Sequence, residues 1–175
     1  FGALIPYFPL LANEKGLENA HWFYVLYAVF LIASRFLTGK LSDRFGRKRV
    51  VLPGMGMVFL ALILMSALEQ PWAFPILAGF YGLAAGTVQP SLMALAAERA
   101  ESSEQGSAMA TFSLLTDMGN ALGMFLMGSL GHLMGYSNTL LVIATVVAGG
   151  ILVLSNPSVL SSSVSSVNAK ERATA

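Results

Sequence analysis

Half of the basic residues of this 175-residue chain, five of ten, fall between Lys40 and Arg49, within the stretch GKLSDRFGRKRVV that runs from Gly39 to Val51. Asp43 sits among them, directly before Arg44 and one helical turn before Arg47. A carboxylate in that company accepts reversible, charge-assisted hydrogen bonds from guanidinium groups, or rests against the positive end of a neighbouring helix. A second carboxylate, Asp117, stands alone in a long apolar run. Ser113, Asp117, Asn120 and Met124 follow three- and four-residue spacing, so a helix lines them up as one polar stripe. Gln89 and Pro90 interrupt a third apolar run, where proline removes a backbone donor and kinks a helix.

The elements that carry these residues follow from composition. Hydrophobic residues make up 55% of the chain and charged ones 11%, with mean hydropathy +0.69, where a soluble domain has about 25% charged residues. Lipid is therefore the expected solvent, and nothing points to a nucleic acid. Crossing a bilayer takes about 20 mainly apolar residues per helix. The pattern predicts an all-α membrane protein with spans at approximately 1–12 (partial), 20–39, 50–68, 73–97, 106–134 and 138–155, and a disordered Ser-rich tail over 156–175. The chain opens at Phe1 inside an apolar segment without an initiator Met, which reads as a piece of a longer protein whose first helix is truncated. Short polar links make successive helices antiparallel. One side then holds Arg35, Lys40, Arg44, Arg47, Lys48, Arg49, Arg99, Lys170 and Arg172, and the other only Lys15. The excess of Lys and Arg makes the basic turn and the carboxyl terminus cytoplasmic.

Depth gives Asp117 its weight. It lies eleven positions after Gly106, which at about 1.5 Å per residue is near the middle of the bilayer. A carboxylate there is costly unless paired, protonated or facing water. Two readings stand side by side: a proton-carrying group, or one half of a fixed ion pair with Arg35 or with a group outside the chain. Arg35 is close enough to Gly39 to reach the cytoplasmic surface. Gly119 and Gly123 fall on roughly the opposite face from the stripe, where close helix packing is expected. Gly79, Gly82 and Gly86 form a packing face upstream of Gln89, and Gln89 is a candidate for substrate contact. Glu98, at the cytoplasmic end of the same helix, either meets Arg44 or Arg47 or is a solvated helix end. His21, beside Trp22, Phe23 and Tyr24, reads as an interfacial anchor.

Several chemistries find no footing. The chain has no cysteine, and its two histidines, His21 and His132, are too far apart in sequence to suggest a metal motif. No glycine-rich phosphate loop is present, and no nucleophile–base–acid grouping can be assembled. The expectation is therefore a protein that is not an enzyme, needs no cofactor, and draws any energy it uses from an ion gradient.

The turn GKLSDRFGRKRVV resembles the cytoplasmic signature of the major facilitator superfamily, Gly-x-Leu-Ala-Asp-Arg-x-Gly-Arg-Lys. Gly39, Leu41, Asp43, Arg44, Gly46, Arg47 and Lys48 match it, and Ser42 substitutes one small residue for another. Arg35 before the signature, the Gln89–Pro90 pair and Asp117 within Thr-Asp-x-Gly resemble the carboxyl-terminal half of bacterial drug- and sugar-efflux members. The resemblance implies a six-helix bundle of two three-helix repeats, half of a twelve-helix fold in a bacterial cytoplasmic membrane. Its partners would be the lipid bilayer, a small-molecule substrate, a proton as coupling ion, and the missing amino-terminal half. It further implies that Asp43, Arg44 and Arg47 gate the cytoplasmic side and that Glu98 completes their charge network, whereas for Lys40, Lys48 and Arg49 the plain reading is that they hold topology. Two other readings stay open: a non-transporting receptor or assembly protein, and a half-transporter that works as a dimer.

Overall fold

The computed structural model describes residues 4–17, 20–45, 47–98, 100 and 103–155, and for residues 37 and 39–48 the side chains lie outside the described set. Among the described residues the regular secondary structure is all helix. It forms α1 (Leu4–Glu14), α2 (His21–Phe45), α3 (Arg47–Ala67), α4 (Ala73–Glu98), α5 (Gln105–Met134) and α6 (Tyr136–Ser155).

Helix persists beyond the apolar windows at the basic turn. Continuous helix reaches Phe45 on one side of the basic turn and resumes at Arg47 on the other. Most of the stretch from Gly39 to Val51, expected as a turn, therefore lies on the ends of α2 and α3, and Gly46 lies outside the described residues. At the α5–α6 junction Gly135 alone breaks the helix, with φ of 86°, a left-handed conformation open to glycine.

By length and composition alone, two stretches among the described residues suffice to cross a membrane: Arg49–Ala67 in α3, with mean hydropathy 2.3, and Tyr136–Ser155 in α6, with 2.1. Helix α2 offers a shorter apolar stretch, His21–Phe36. Helices α4 and α5 do not pass this test because Gly79, Gly82, Gly86, Thr87, Gln89 and Pro90 in the first, and Ser113, Thr116, Asp117 and Asn120 in the second, replace bulky apolar side chains. Those are the residue types used where helices approach one another or meet something polar.

Helix α4 is the centre of the bundle, packed against α2, α3 and α5, while α3 also packs on α6. Helix α1 rests on α5 and α6, and its inner face, Leu4, Phe8, Leu11 and Ala12, is buried. The Phe8 ring stacks on Phe23 of α2 with centroids 3.5 Å apart and lies 6.3 Å from Phe74 of α4. This aromatic node and Ala61, Met65, Tyr81, Met127 and Leu140 join all six helices in one core.

Candidate functional site

The site begins with how closely α2 and α4 approach. Three glycines one turn apart on α4 face α2. A Cβ on Gly79 would come within 2.8 Å of the Phe30 ring, and one on Gly82 within 2.5 Å of the Tyr27 carbonyl oxygen. A Cβ on Gly86 would collide with the Ser34 hydroxyl and lie 2.7 Å from the Leu31 carbonyl. The expected packing face is thus real, and only glycine permits it at these positions. On the other side of α4, Val88 presses against Gly54 of α3, whose Cβ would fall 2.5 Å from its methyl group.

A run of hydroxyls continues the α2–α4 seam toward the basic turn. Ser34 donates to the Leu31 carbonyl at 2.7 Å, Thr38 donates to the Ser34 carbonyl at 2.6 Å and reaches the Thr87 hydroxyl at 3.3 Å, and Thr87 donates to the Leu83 carbonyl at 2.7 Å. These bonds back onto the helix itself, so the hydroxyls satisfy one another and the backbone without water. One turn further, the Ser91 hydroxyl is buried and makes no hydrogen bond among the described residues. The seam brings the end of α2, which carries the signature, alongside the last turns of α4, which end at Glu98. Glu98 is exposed there. The side chains of Gly39, Leu41, Asp43, Arg44, Arg47 and Lys48, and Gly46 entirely, lie outside the described residues.

Helix α5 is the opposite case. Of its 30 residues only Met127 and Gly131 are buried, both in the last third. Ser113, Asp117 and Met124 are exposed, and Asn120 is half-buried. Gln89 and Pro90 are likewise exposed on α4, although α4 runs through them without a break. Among the described residues, Ser113, Asp117 and Met124 of the polar stripe thus lie on an exposed face of α5. Arg35 on α2 and Asp117 on α5 are both exposed. Gly119 differs from expectation: none of the described residues lies within 4 Å of where its Cβ would be, whereas the glycines in the last third of α5 meet close neighbours. There Gly128 is set against the Tyr7 hydroxyl and Gly131 against the Tyr136 ring.

Sequence reasoning missed the best-defined polar contacts of the molecule, at the end of the bundle away from the basic turn. Glu14 accepts hydrogen bonds from the backbone N–H groups of Tyr136 at 2.6 Å and Ser137 at 3.3 Å. Its neighbour Lys15 donates to the carbonyls of Ser66 and Leu68, each at 2.8 Å. An adjacent acid and base at the end of an apolar helix was the available signal, but sequence does not reveal which helix ends they meet.

Comparison with known proteins agrees with this architecture. The family model described as Major Facilitator Superfamily matches residues 1–173. The chain is 28% identical over 153 residues to multidrug resistance protein MdtG of Proteus mirabilis, covering 83% of this chain and 38% of that protein. It is 26% identical over 118 residues to the MFS-type transporter YhhS of Salmonella enteritidis, covering 67% of this chain and 29% of the relative. Over 98 residues it is 36% identical to the class G tetracycline resistance protein of Vibrio anguillarum, covering 55% of this chain and 24% of the relative. The chain thus spans little more than a third of the length of these relatives at most. With a match that runs almost from end to end and a glycine-packed helical bundle carrying the Gly39–Lys48 signature, the chain belongs to the Major Facilitator Superfamily.

Proposed function

We propose that this chain is the carboxyl-terminal six-helix half of a secondary active transporter that exports a small amphipathic solute in exchange for protons. The observation that carries the reading is the open polar face: Ser113 and Asp117 on α5, with Gln89 on α4, are exposed in a chain whose solvent is lipid. A carboxylate facing hydrocarbon at that depth is costly, so something polar must cover it, and a water-filled central cavity shared with a second six-helix body supplies that cover. The names of the relatives, multidrug resistance and tetracycline resistance proteins, support efflux as the direction.

In this mechanism the two bodies rock about the cavity, and solute and proton shift the balance between inward- and outward-open states. Asp117 carries the coupling proton. Asn120 and Ser113 extend the polar path along α5, Gln89 beside Pro90 contacts solute, and Arg35 keeps the nearby surface positive. Asp43, Arg44 and Arg47 form the cytoplasmic gate with Glu98 as acidic partner, and Gly39, Leu41, Gly46 and Lys48 shape the turn that presents them. The positive-inside rule supports a cytoplasmic basic turn and carboxyl terminus in a bacterial cytoplasmic membrane, and α1–α3 and α4–α6 are the two three-helix repeats. Efflux of tetracycline from proteoliposomes holding the intact protein tests the reading. Asp43→Asn is expected to insert normally and nearly abolish efflux, and normal efflux by that variant contradicts the gate.

A further inference from the structure

We propose that Tyr7 of α1 contacts the solute and sets specificity, its phenol closing one end of the polar face of α5 and holding the hydrogen-bond acceptor of an elongated, planar, ring-bearing molecule. The inference rests on the transport reading and adds to it a residue on a second helix and a shape for the solute.

Helical spacing puts Gly128 on the face of α5 that carries Asp117. Eleven residues separate the two, close to three whole turns at about 3.6 residues per turn. Met124 lies between them, seven residues after Asp117 and so about two turns on. Followed away from the basic turn, the stripe thus reaches Gly128, and there Tyr7 meets it. A Cβ on Gly128 would lie 2.7 Å from the Tyr7 hydroxyl and 3.4 Å from the ring carbon that bears it. The glycine leaves the room in which the phenol sits.

The ring is held and the hydroxyl is not. Tyr7 stacks with Tyr136, their centroids 6.3 Å and their planes 29° apart, and the Tyr136 ring is itself set against Gly131. The phenol is therefore oriented before any solute arrives, which lowers the entropic cost of binding. Its hydroxyl, by contrast, rests on a glycine, which has no side chain to bond it. A phenol hydroxyl in a chain whose solvent is lipid calls for a polar partner. Tyr7 is only half-buried, so a solute can supply one.

The rest of the face gives that solute its shape. From Gly128 to Asp117 the rise is about 16 Å, at about 1.5 Å per residue. Met124, 38% exposed, offers a polarizable thioether between them, and thioether sulfur makes favourable contacts with aromatic rings. A compact solute reaches one end of this face, whereas an elongated one spans it. Tyr7 then holds the far edge of the ring system while Asp117 carries the proton.

Tetracycline efflux from proteoliposomes holding the intact protein tests the assignment. Tyr7→Phe keeps the ring stack and removes only the hydroxyl, and it is expected to raise KM for tetracycline about 2–10-fold at unchanged maximal rate and unchanged thermal midpoint. Gly128→Ala, which displaces the hydroxyl, should raise KM as well, and the double variant no further than the larger single effect. A KM for Tyr7→Phe equal to the parent's, or a fall in maximal rate alone, overturns the proposal. A second readout needs no transport. The chain has no cysteine, and Tyr7→Cys in the intact protein, in membranes open to reagent on both faces, is expected to react with a water-soluble methanethiosulfonate and to be protected by tetracycline. Failure to react overturns the placement of Tyr7 on the polar face, whatever is transported. A parent protein that moves no tetracycline counts against the transport reading, and protection of Tyr7→Cys by bound tetracycline, or its absence, then decides the contact.

Discussion

Helices α4 and α5 are similar in length, 26 and 30 residues, and both are mainly apolar, yet twelve residues of α4 are buried and only two of α5. In water such a contrast would follow from how hydrophobic each helix is. In lipid it does not, because hydrocarbon solvates an apolar side chain as well as a protein interior does. The discriminating feature is the register of small residues. On α4, Gly79, Gly82 and Gly86 all face α2 and let the two backbones come together. On α5, Gly119 faces open space, and only Gly128 and Gly131 near its end meet aromatic neighbours. In the transport mechanism proposed above, the closely packed seam carries the basic signature, and the open helix presents polar groups to a second six-helix body.

Three substitutions sharpen or break this contrast. Gly86→Leu, which drives a side chain into Ser34 and the Leu31 carbonyl, should lower the stability of the intact protein by about 1–3 kcal/mol or more. Thermal unfolding in detergent reads the loss, and a midpoint equal to the parent's would mean that the seam is loose. Thr38→Val removes the hydroxyl that joins the Ser34 carbonyl to Thr87 and should cost about 0.5–1.5 kcal/mol by the same measurement. A gain in stability would show that the hydroxyl run contributes nothing to packing. Gly119→Ala should change stability by no more than about 0.5 kcal/mol. A loss as large as that of Gly86→Leu would place a close neighbour against α5 that the chain itself does not provide.

What was legible in the sequence and what was not divides along physical lines. Apolar run length and proline and glycine spacing marked where helices lie, and the Gly79–Gly86 spacing marked a packing face, because both signals are local. The extension of α2 and α3 into the basic turn was not legible, since hydropathy records where lipid ends rather than where helix ends. The freedom of Gly119 was not legible either: spacing identifies a helix face, but the partner of that face belongs to tertiary structure. Glu14 and Lys15 were invisible for the same reason, as their partners lie 51 to 123 positions away in the chain. Asp117 was legible as a lone carboxylate at depth, and its exposure came only with the packing of α5.

The central claim is that the open face of α5 couples proton movement to solute movement through Asp117. Its most direct test is the proton flux driven by a tetracycline gradient across proteoliposomes containing the intact protein, with and without Asp117→Asn. The account predicts proton movement coupled to tetracycline in the parent, and in Asp117→Asn no coupled proton movement and no dependence of transport on pH. Coupled proton flux of undiminished size in Asp117→Asn would contradict it.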